Sequence, residues 1–352
     1  MNNYYEKLMK ECLILAKKGI GKTSPNPMVG CIVLNKSGEI ISKGYHHKCG
    51  EAHAERDALL KLKNGEEKNG TLIVNLEPCS HYGKTPPCAD LIIERGLKKV
   101  IIGCKDNNPK VNGGGIKKLK NAGIEVITGI LEDNCRKFNE VFFTNVEQNR
   151  IFVALKTATT IDGKISTKTG DSKCITSQKS RNYAKKLRQN YDAILTSSST
   201  IIADNPQMYH SKKIILDSHL KTSFNSEIYK QGDIYLVTNR IGKHIDLPKN
   251  VKLIECPLKG NSIDLNELMK ILFKEGIRSI FVEAGGKLCG SFIKENLADK
   301  IYHFIAPKIL NDNEGKSCFS GDSINLISNC KNFSPEKVKK LDNDILIIYT
   351  CF

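Results

Sequence analysis

The chain has 352 residues, enough for about two domains of ordinary size. Its 40% hydrophobic and 26% charged content excludes a disordered chain, and no apolar run reaches the roughly 20 residues that span a bilayer. A formal charge of +16 admits an anionic partner, but the lysines lie singly and in pairs with no basic tail, which favours a solvated surface over a nucleic-acid patch.

Thirteen cysteines, an odd number, follow no regular spacing. Met1 to Lys10 is polar and helix-forming, unlike a signal sequence. Reduced thiols and a cytoplasmic location are therefore expected.

Leu8, Cys12, Leu15 and Ala16 recur at helical spacing, so a helix is expected over Tyr4–Lys18, ended by Gly19 and Gly21. In Thr23-Ser24-Pro25-Asn26-Pro27, two prolines flank Asn26. They either hold an extended backbone that aims the Asn side chain, or simply make a loop before a strand. Strands are expected at Val29–Leu34 and Glu39–Tyr45, joined through Ser37-Gly38. His46 and His47 follow; such histidines are usually structural or exposed, but from here either could reach a phosphate or sugar of a substrate. A helix is expected over Ala52–Lys63, with His53 and Glu55 in its first turn at the positive end of the dipole.

Thr71–Leu76 reads as a strand that delivers Glu77-Pro78-Cys79. The polar loop after it carries His81, Lys84 and Thr85, which suit an anionic substrate. Cys88 opens the next expected helix, Pro87–Arg95, behind two prolines. One histidine and two cysteines supply three zinc ligands and leave a fourth position open to water, the pattern of a catalytic site rather than a closed structural one. Glu55 sits two residues after His53, where a carboxylate can take a proton from that water and pass it to a leaving amine. Nucleobase deaminases share this H-x-E and later P-C pattern with a further cysteine.

A strand at Lys99–Cys104, a Gly113-Gly114-Gly115 turn, a helix and a strand at Glu125–Thr128 complete an α/β layer. The triple glycine lacks the strand–G-x-G-x-x-G–helix context of a nucleotide loop. Polar, helical residues follow from Phe138, and a boundary is expected near Val146 to Arg150, dividing residues 1–146 from 147–352.

The second half restarts with a strand, Ile151–Leu155, that runs into Lys156-Thr157-Ala158, and Asp162-Gly163-Lys164 is a tight turn. Helices are expected at Ser177–Asn190, Asp264–Glu275 and Gly286–Glu295. Strands are expected at Asp192–Leu195, Lys213–Leu216, Asp233–Val237, Val251–Cys256 and Arg278–Val282. This alternation argues a mostly parallel or mixed sheet. Glu283-Ala284-Gly285-Gly286 between a strand and a helix either seats a phosphate or makes a packing turn.

Three stretches resemble the deaminase half of the bifunctional deaminase–reductase family of riboflavin biosynthesis. They are Pro25 to Gly30, His46 with Gly50 to Glu55, and Glu77 to Cys88. Eight residues separate Cys79 from Cys88, whereas nucleic-acid deaminases have Cys-x-x-Cys there. The resemblance implies a zinc site of His53, Cys79 and Cys88 with Glu55 as catalytic acid/base. It also implies substrate roles for Asn26, His46, Lys84 and Thr85. The second half is similar to the family's reductase domain. There the resemblance implies NADPH contacts at Ala158, Cys174, Thr200, Asp204 and the run Gly285, Gly286, Lys287, Leu288, Cys289, Gly290 and Ser291. Substrate contacts are implied at Ser172, Arg188, Met208 and Glu283.

The implied folds are a cytidine-deaminase-like three-layer α/β/α domain and a dihydrofolate-reductase-like α/β domain. The implied substrate is a phosphorylated pyrimidine. A homo-oligomer is expected, with neither nucleic acid nor membrane as partner. Two departures stand out: Cys174 where the family has Trp, and Ser211 where it has an arginine for the substrate phosphate, a role that His210 or Lys212 would have to fill. The competing readings are a nucleic-acid deaminase, opposed by the long Cys79–Cys88 loop, and a non-catalytic zinc-stabilised protein.

Overall fold

The computed structural model describes residues 2–82, 86–108, 111–240 and 246–351 and divides the chain into two units, Met1–Asn149 and Arg150–Phe352. Each unit has its own sheet and its own apolar core.

The first unit runs α1 (Asn2–Ala16), β1 (Gly30–Leu34), β2 (Ile40–Tyr45), α2 (Ala54–Leu59), β3 (Thr71–Leu76) and α3 (Cys88–Glu94). It continues with β4 (Lys99–Cys104), α4 (Gly114–Asn121), β5 (Glu125–Thr128), α5 (Glu132–Phe138) and α6 (Glu140–Gln148). The sheet order is β2-β1-β3-β4-β5, with β1 antiparallel to both neighbours and the last three strands parallel. Side-chain alternation decides the layering. Cys31 pairs with Gly44 on one face, and Gly30 pairs with Tyr45 on the other. A Cβ on Gly30 would lie 2.1 Å from the Cys12 carbonyl oxygen in α1, and one on Gly44 would lie 2.4 Å from that of Ala54 in α2. The two helices therefore cover opposite faces, which makes three layers. Every residue of β1 is buried between them.

The helix carrying Glu55 is shorter than Ala52–Lys63. It spans Ala54–Leu59, and His53 is its N-cap residue in an extended conformation rather than a first-turn residue. Arg95, just past α3, meets the far end of α2. Its Nη2 donates to the carbonyls of Leu59 at 3.0 Å and Leu62 at 3.2 Å, while its Nε pairs with the fully buried Glu67. The trailing ends of two helices are thus tied together, and their leading ends carry His53 and Cys88.

The division falls at 149/150 rather than 146/147. Val146 lies within α6 and packs on the first core. Arg150 instead holds Asp299 with both guanidinium nitrogens, at 2.9 and 2.6 Å, and Asp299 also accepts the Val153 N–H.

The second unit begins β6 (Phe152–Thr159), β7 (Lys164–Ser166), α7 (Gln178–Arg188), β8 (Ala193–Ser197), α8 (Ser198–Asp204), β9 (Lys212–Leu216), β10 (Asp233–Thr238) and β11 (Val251–Glu255). It then runs β12 (Leu258–Lys259), β13 (Ser262–Ile263), α9 (Leu265–Lys274), β14 (Ser279–Val282), α10 (Gly286–Lys294), β15 (Lys300–Ile305), β16 (Lys316–Ser317), β17 (Phe333–Leu341) and β18 (Asp344–Cys351). Nine strands form one sheet, β11-β10-β9-β8-β14-β6-β15-β18-β17. It is parallel from β11 to β15 and antiparallel through β18 and β17. The expected mixed sheet is present. The strands from β15 onward had no sequence assignment. β17 is a mostly exposed edge strand carrying Pro335 and four basic or acidic residues, so it has no apolar alternation to read. Among the described residues, no helix is long and apolar enough to cross a membrane.

Gly44→Ala tests how closely α2 is seated. The added methyl has no room against Ala54 and Ala58, and the expected cost is about 1–3 kcal/mol in denaturant unfolding of the first unit. Unchanged stability would mean that α2 is free to shift.

Candidate functional sites

Three elements meet at the first site. β3 hands Glu77-Pro78-Cys79 to a loop, His53 caps α2, and Cys88 opens α3. The donor atoms of His53, Cys79 and Cys88 all lie within 4.8 Å of one another. His53 Nδ1 is 3.6 Å from Cys79 Sγ and 3.5 Å from Cys88 Sγ. Ligand bonds of about 2.0–2.3 Å around a tetrahedral centre give edges of about 3.5 Å, so the triangle fits one zinc ion. The Cys88 thiol and then the His53 ring hold Cys79 below the ordinary thiol range despite its burial. Contact with Cys79, followed by burial, pushes Cys88 the other way.

Glu55 is 3% exposed, inside the first turn of α2. Burial, then the charge on Cys79, raises its pKa to about 7, with His53 pulling the other way. A carboxyl that ionises near neutrality can both take and return a proton.

A cavity of about 540 Å³ lies over these residues, and Asn26, His46, His53, Glu55, Cys79 and His81 are in its wall. Asn26 Nδ2 meets His46 Nε2 at 3.3 Å, and His46 Nδ1 meets the Ala52 carbonyl at 3.0 Å. Burial lowers the His46 pKa, and a neutral ring that accepts from Asn26 and donates to Ala52 satisfies both contacts. Lys84 and Thr85 lie outside the described residues.

The wall also holds Glu51, from the Gly50 to Glu55 stretch, and Cys49, Asp106, Asn108, Val111 and Phe142, which the sequence did not point to. Two buried asparagines behind the wall were equally silent. Asn139 Oδ1 accepts the Met28 N–H at 2.8 Å, and its Nδ2 donates to the Met28 carbonyl at 3.0 Å. Asn75 donates to the same carbonyl at 3.1 Å and accepts the Gly30 N–H at 2.8 Å. The Pro25-Asn26-Pro27 loop is therefore fastened at Met28 by side chains 47 and 111 residues away.

The second site is a cavity of about 1020 Å³ in the other unit. It sits at the carboxyl ends of β6, β8, β9 and β14, the edge where parallel sheets receive ligands. It brings together Ala158, Ser172, Cys174, Arg188, Thr200, Asp204, Met208 and Glu283 with Gly285, Gly286, Lys287, Leu288 and Ser291. Ser172 Oγ donates to Asp204 Oδ1 at 3.3 Å, which links the loop of Ser172 to the end of α8. Arg188 holds Glu283 through one guanidinium edge: Nε to Oε1, and Nη2 to Oε2 at 3.0 Å. Burial alone would raise the Glu283 pKa, but the Arg188 charge and hydrogen bonds, helped by Lys156, hold it below the ordinary range.

Four expectations change here. Cys289 is fully buried, donates to the Ala284 carbonyl and does not line the cavity. Gly290 does not line it either: a Cβ there would lie 2.0 Å from the Ser320 carbonyl oxygen, just as one on Gly286 would lie 2.0 Å from that of Ser317. These two glycines seat the 317–320 backbone against α10, whereas Gly285 faces open space. His210 cannot take over for an arginine at 211. Its Nδ1 accepts from the Lys212 N–H at 3.1 Å and its Nε2 donates to the Tyr191 carbonyl at 3.0 Å. Neither it nor Lys212 is in the cavity wall.

Residues 2–104 match the family model described as the cytidine and deoxycytidylate deaminase zinc-binding region, and residues 151–347 match the RibD C-terminal domain. The riboflavin biosynthesis protein RibD of Aquifex aeolicus is 39% identical over 97% of both chains. That of Actinobacillus pleuropneumoniae is 37% identical over 97% of this chain and 94% of its own. Among solved structures, the Thermotoga maritima diaminohydroxyphosphoribosylaminopyrimidine deaminase/5-amino-6-(5-phosphoribosylamino)uracil reductase superposes with a TM-score of 0.89. It is 36% identical and covers 100% of this chain and 99% of its own. Acinetobacter baumannii RibD gives the same TM-score at 31% identity, with both chains covered in full.

Arg188→Ala would leave Glu283 buried without its cation, at a cost of about 3 kcal/mol near neutral pH. In the native protein the Glu283 pKa lies below its unfolded value of about 4.3. Its contribution is therefore present above that value and lost as the pH falls through the lower, folded value. In the variant, burial is opposed only by Lys156, so the pKa rises and the contribution becomes largest in acid. The stability gap between the two proteins, measured by urea unfolding, is expected to narrow from about pH 7 towards about pH 4. A constant gap would show that the pair contributes no charge energy.

Proposed function

The chain belongs to the RibD family of riboflavin-biosynthesis enzymes, in which a zinc-dependent deaminase is joined to a reductase, and from that premise we propose how its residues divide the two reactions. It is a bifunctional enzyme of riboflavin biosynthesis with zinc and NADPH as cofactors. The deaminase substrate is 2,5-diamino-6-ribosylamino-4(3H)-pyrimidinone 5′-phosphate, and the reductase converts the ribosyl chain of the deaminated product to a ribityl chain.

In the first unit His53, Cys79 and Cys88 hold the zinc. Zinc held there supplies Lewis acidity that lets water ionise near neutral pH. Glu55 takes the proton of the attacking water as the C–O bond forms, and returns it to the nitrogen as the C–N bond breaks and ammonia leaves. Its raised pKa suits both halves of that exchange. Asn26 and the neutral His46 orient the substrate, with Lys84 and Thr85 assigned to it as well.

In the second unit NADPH supplies the hydride for C1′ of the ribose. Ala158, Cys174, Thr200, Asp204 and the start of α10 from Gly285 to Ser291 hold the cofactor, with Cys289 and Gly290 shaping that segment from behind. Ser172, Arg188, Met208 and Glu283 hold the substrate. We further assign the enzyme to the cytoplasm as a homo-oligomer that does not act on nucleic acid.

The observation that carries this reading is the convergence of His53, Cys79 and Cys88 beside a buried Glu55 under one cavity. Mass spectrometry of the products made from the diaminopyrimidine phosphate tests it. Deamination alone is expected without NADPH, and deamination plus reduction with it. Glu55→Gln is expected to abolish deamination while zinc content and the reductase activity persist. Deamination surviving in that variant would remove Glu55 from the chemistry.

A further inference from the structure

Glu77 follows directly on β3, two residues before Cys79, and is only 4% exposed. Its partners are backbone amides. Oε1 accepts from Gly115 at 3.0 Å and Ile116 at 3.1 Å, and Oε2 accepts from Asp106 at 3.2 Å and Gly113 at 3.3 Å. Two of the four belong to the first turn of α4, where N–H groups have no helical partner and the dipole favours an anion. The approach is close: a Cβ on Gly115 would lie 2.0 Å from the Pro78 carbonyl oxygen. The backbone at Gly115 therefore rests directly on Pro78. Asp106, Asn108 and Val111 also form cavity wall.

We infer that Glu77 is a positioning residue of the deaminase. By gathering the amides of Asp106, Gly113, Gly115 and Ile116 it holds Cys79 and the substrate wall in one frame, so that zinc affinity and substrate affinity are coupled through it. The inference rests on the zinc-deaminase reading above. A glutamine cannot replace the carboxylate. It has one acceptor oxygen in place of two, and its NH₂ would face N–H donors in a buried place.

The coupling must be reciprocal: if the amides of α4 fix Cys79, then zinc at Cys79 must fix those amides. Amide hydrogen exchange of the intact chain, with and without zinc, is the first measurement. Zinc is expected to slow exchange at Gly113, Gly115 and Ile116. In Glu77→Gln, chelator competition is expected to show a loss of zinc affinity of about 10- to 100-fold. The deaminase KM is expected to rise at saturating zinc, while the reductase activity reports that the chain is otherwise intact. Zinc binding without any change at those amides would overturn the inference and leave the zinc-deaminase reading standing, even if the variant failed to fold. A variant with unaltered zinc affinity and KM would overturn it equally. A wild-type chain that takes up no zinc would overturn both.

Discussion

Four backbone N–H groups converge on the Glu77 carboxylate, and the place of Cys79 follows from them. A loop that carries a metal ligand has no ladder of its own to hold it, so its backbone must be fastened by something else. The first unit does this repeatedly with buried polar side chains. Asn75 and Asn139 fasten Met28 and with it the loop of Asn26. Arg95 and Glu67 tie the ends of α2 and α3. Each anchor acts one step away from a residue proposed to do chemistry. That arrangement suits a site whose donor atoms must hold their separation within tenths of an ångström.

The second unit solves a different problem. Its cavity sits at the carboxyl edge of a parallel sheet, where strand ends and helix starts already converge. Little extra fastening is needed except at α10, where Gly286 and Gly290 admit the 317–320 backbone to contact. One buried charge pair, Arg188 with Glu283, remains in the wall. Its two members satisfy each other, and Arg188 keeps the Glu283 carboxylate ionised in a place where burial favours its neutral form.

Much of this was legible beforehand. β3 and β5 coincide with the expected strands because each is a short β-branched run bounded by turn residues. The helix of Glu55 was overestimated because its apolar pattern continues beyond Leu59, where Arg95 takes the carbonyls instead. β17 was invisible because an edge strand facing solvent has no buried face to imprint on its residues. Cys289 and Gly290 belong to the glycine-rich run by sequence, but a helix turns successive residues to different sides, so only part of the run faces the cavity.

By itself the sequence determined the chemistry on offer: a histidine and two cysteines for zinc, a glutamate two residues from the histidine, and a second α/β unit with glycines before a helix. Donor type belongs to the residue, and short spacings are kept by local backbone geometry, so both can be read along the chain. Only the tertiary structure decided what holds those donors in place. The partners of Glu77 lie up to 39 residues away and those of Asn139 lie 111 away. A hydrogen bond over such a distance imposes no period and no composition on the residues between, and so leaves no trace in the sequence until the chain has folded.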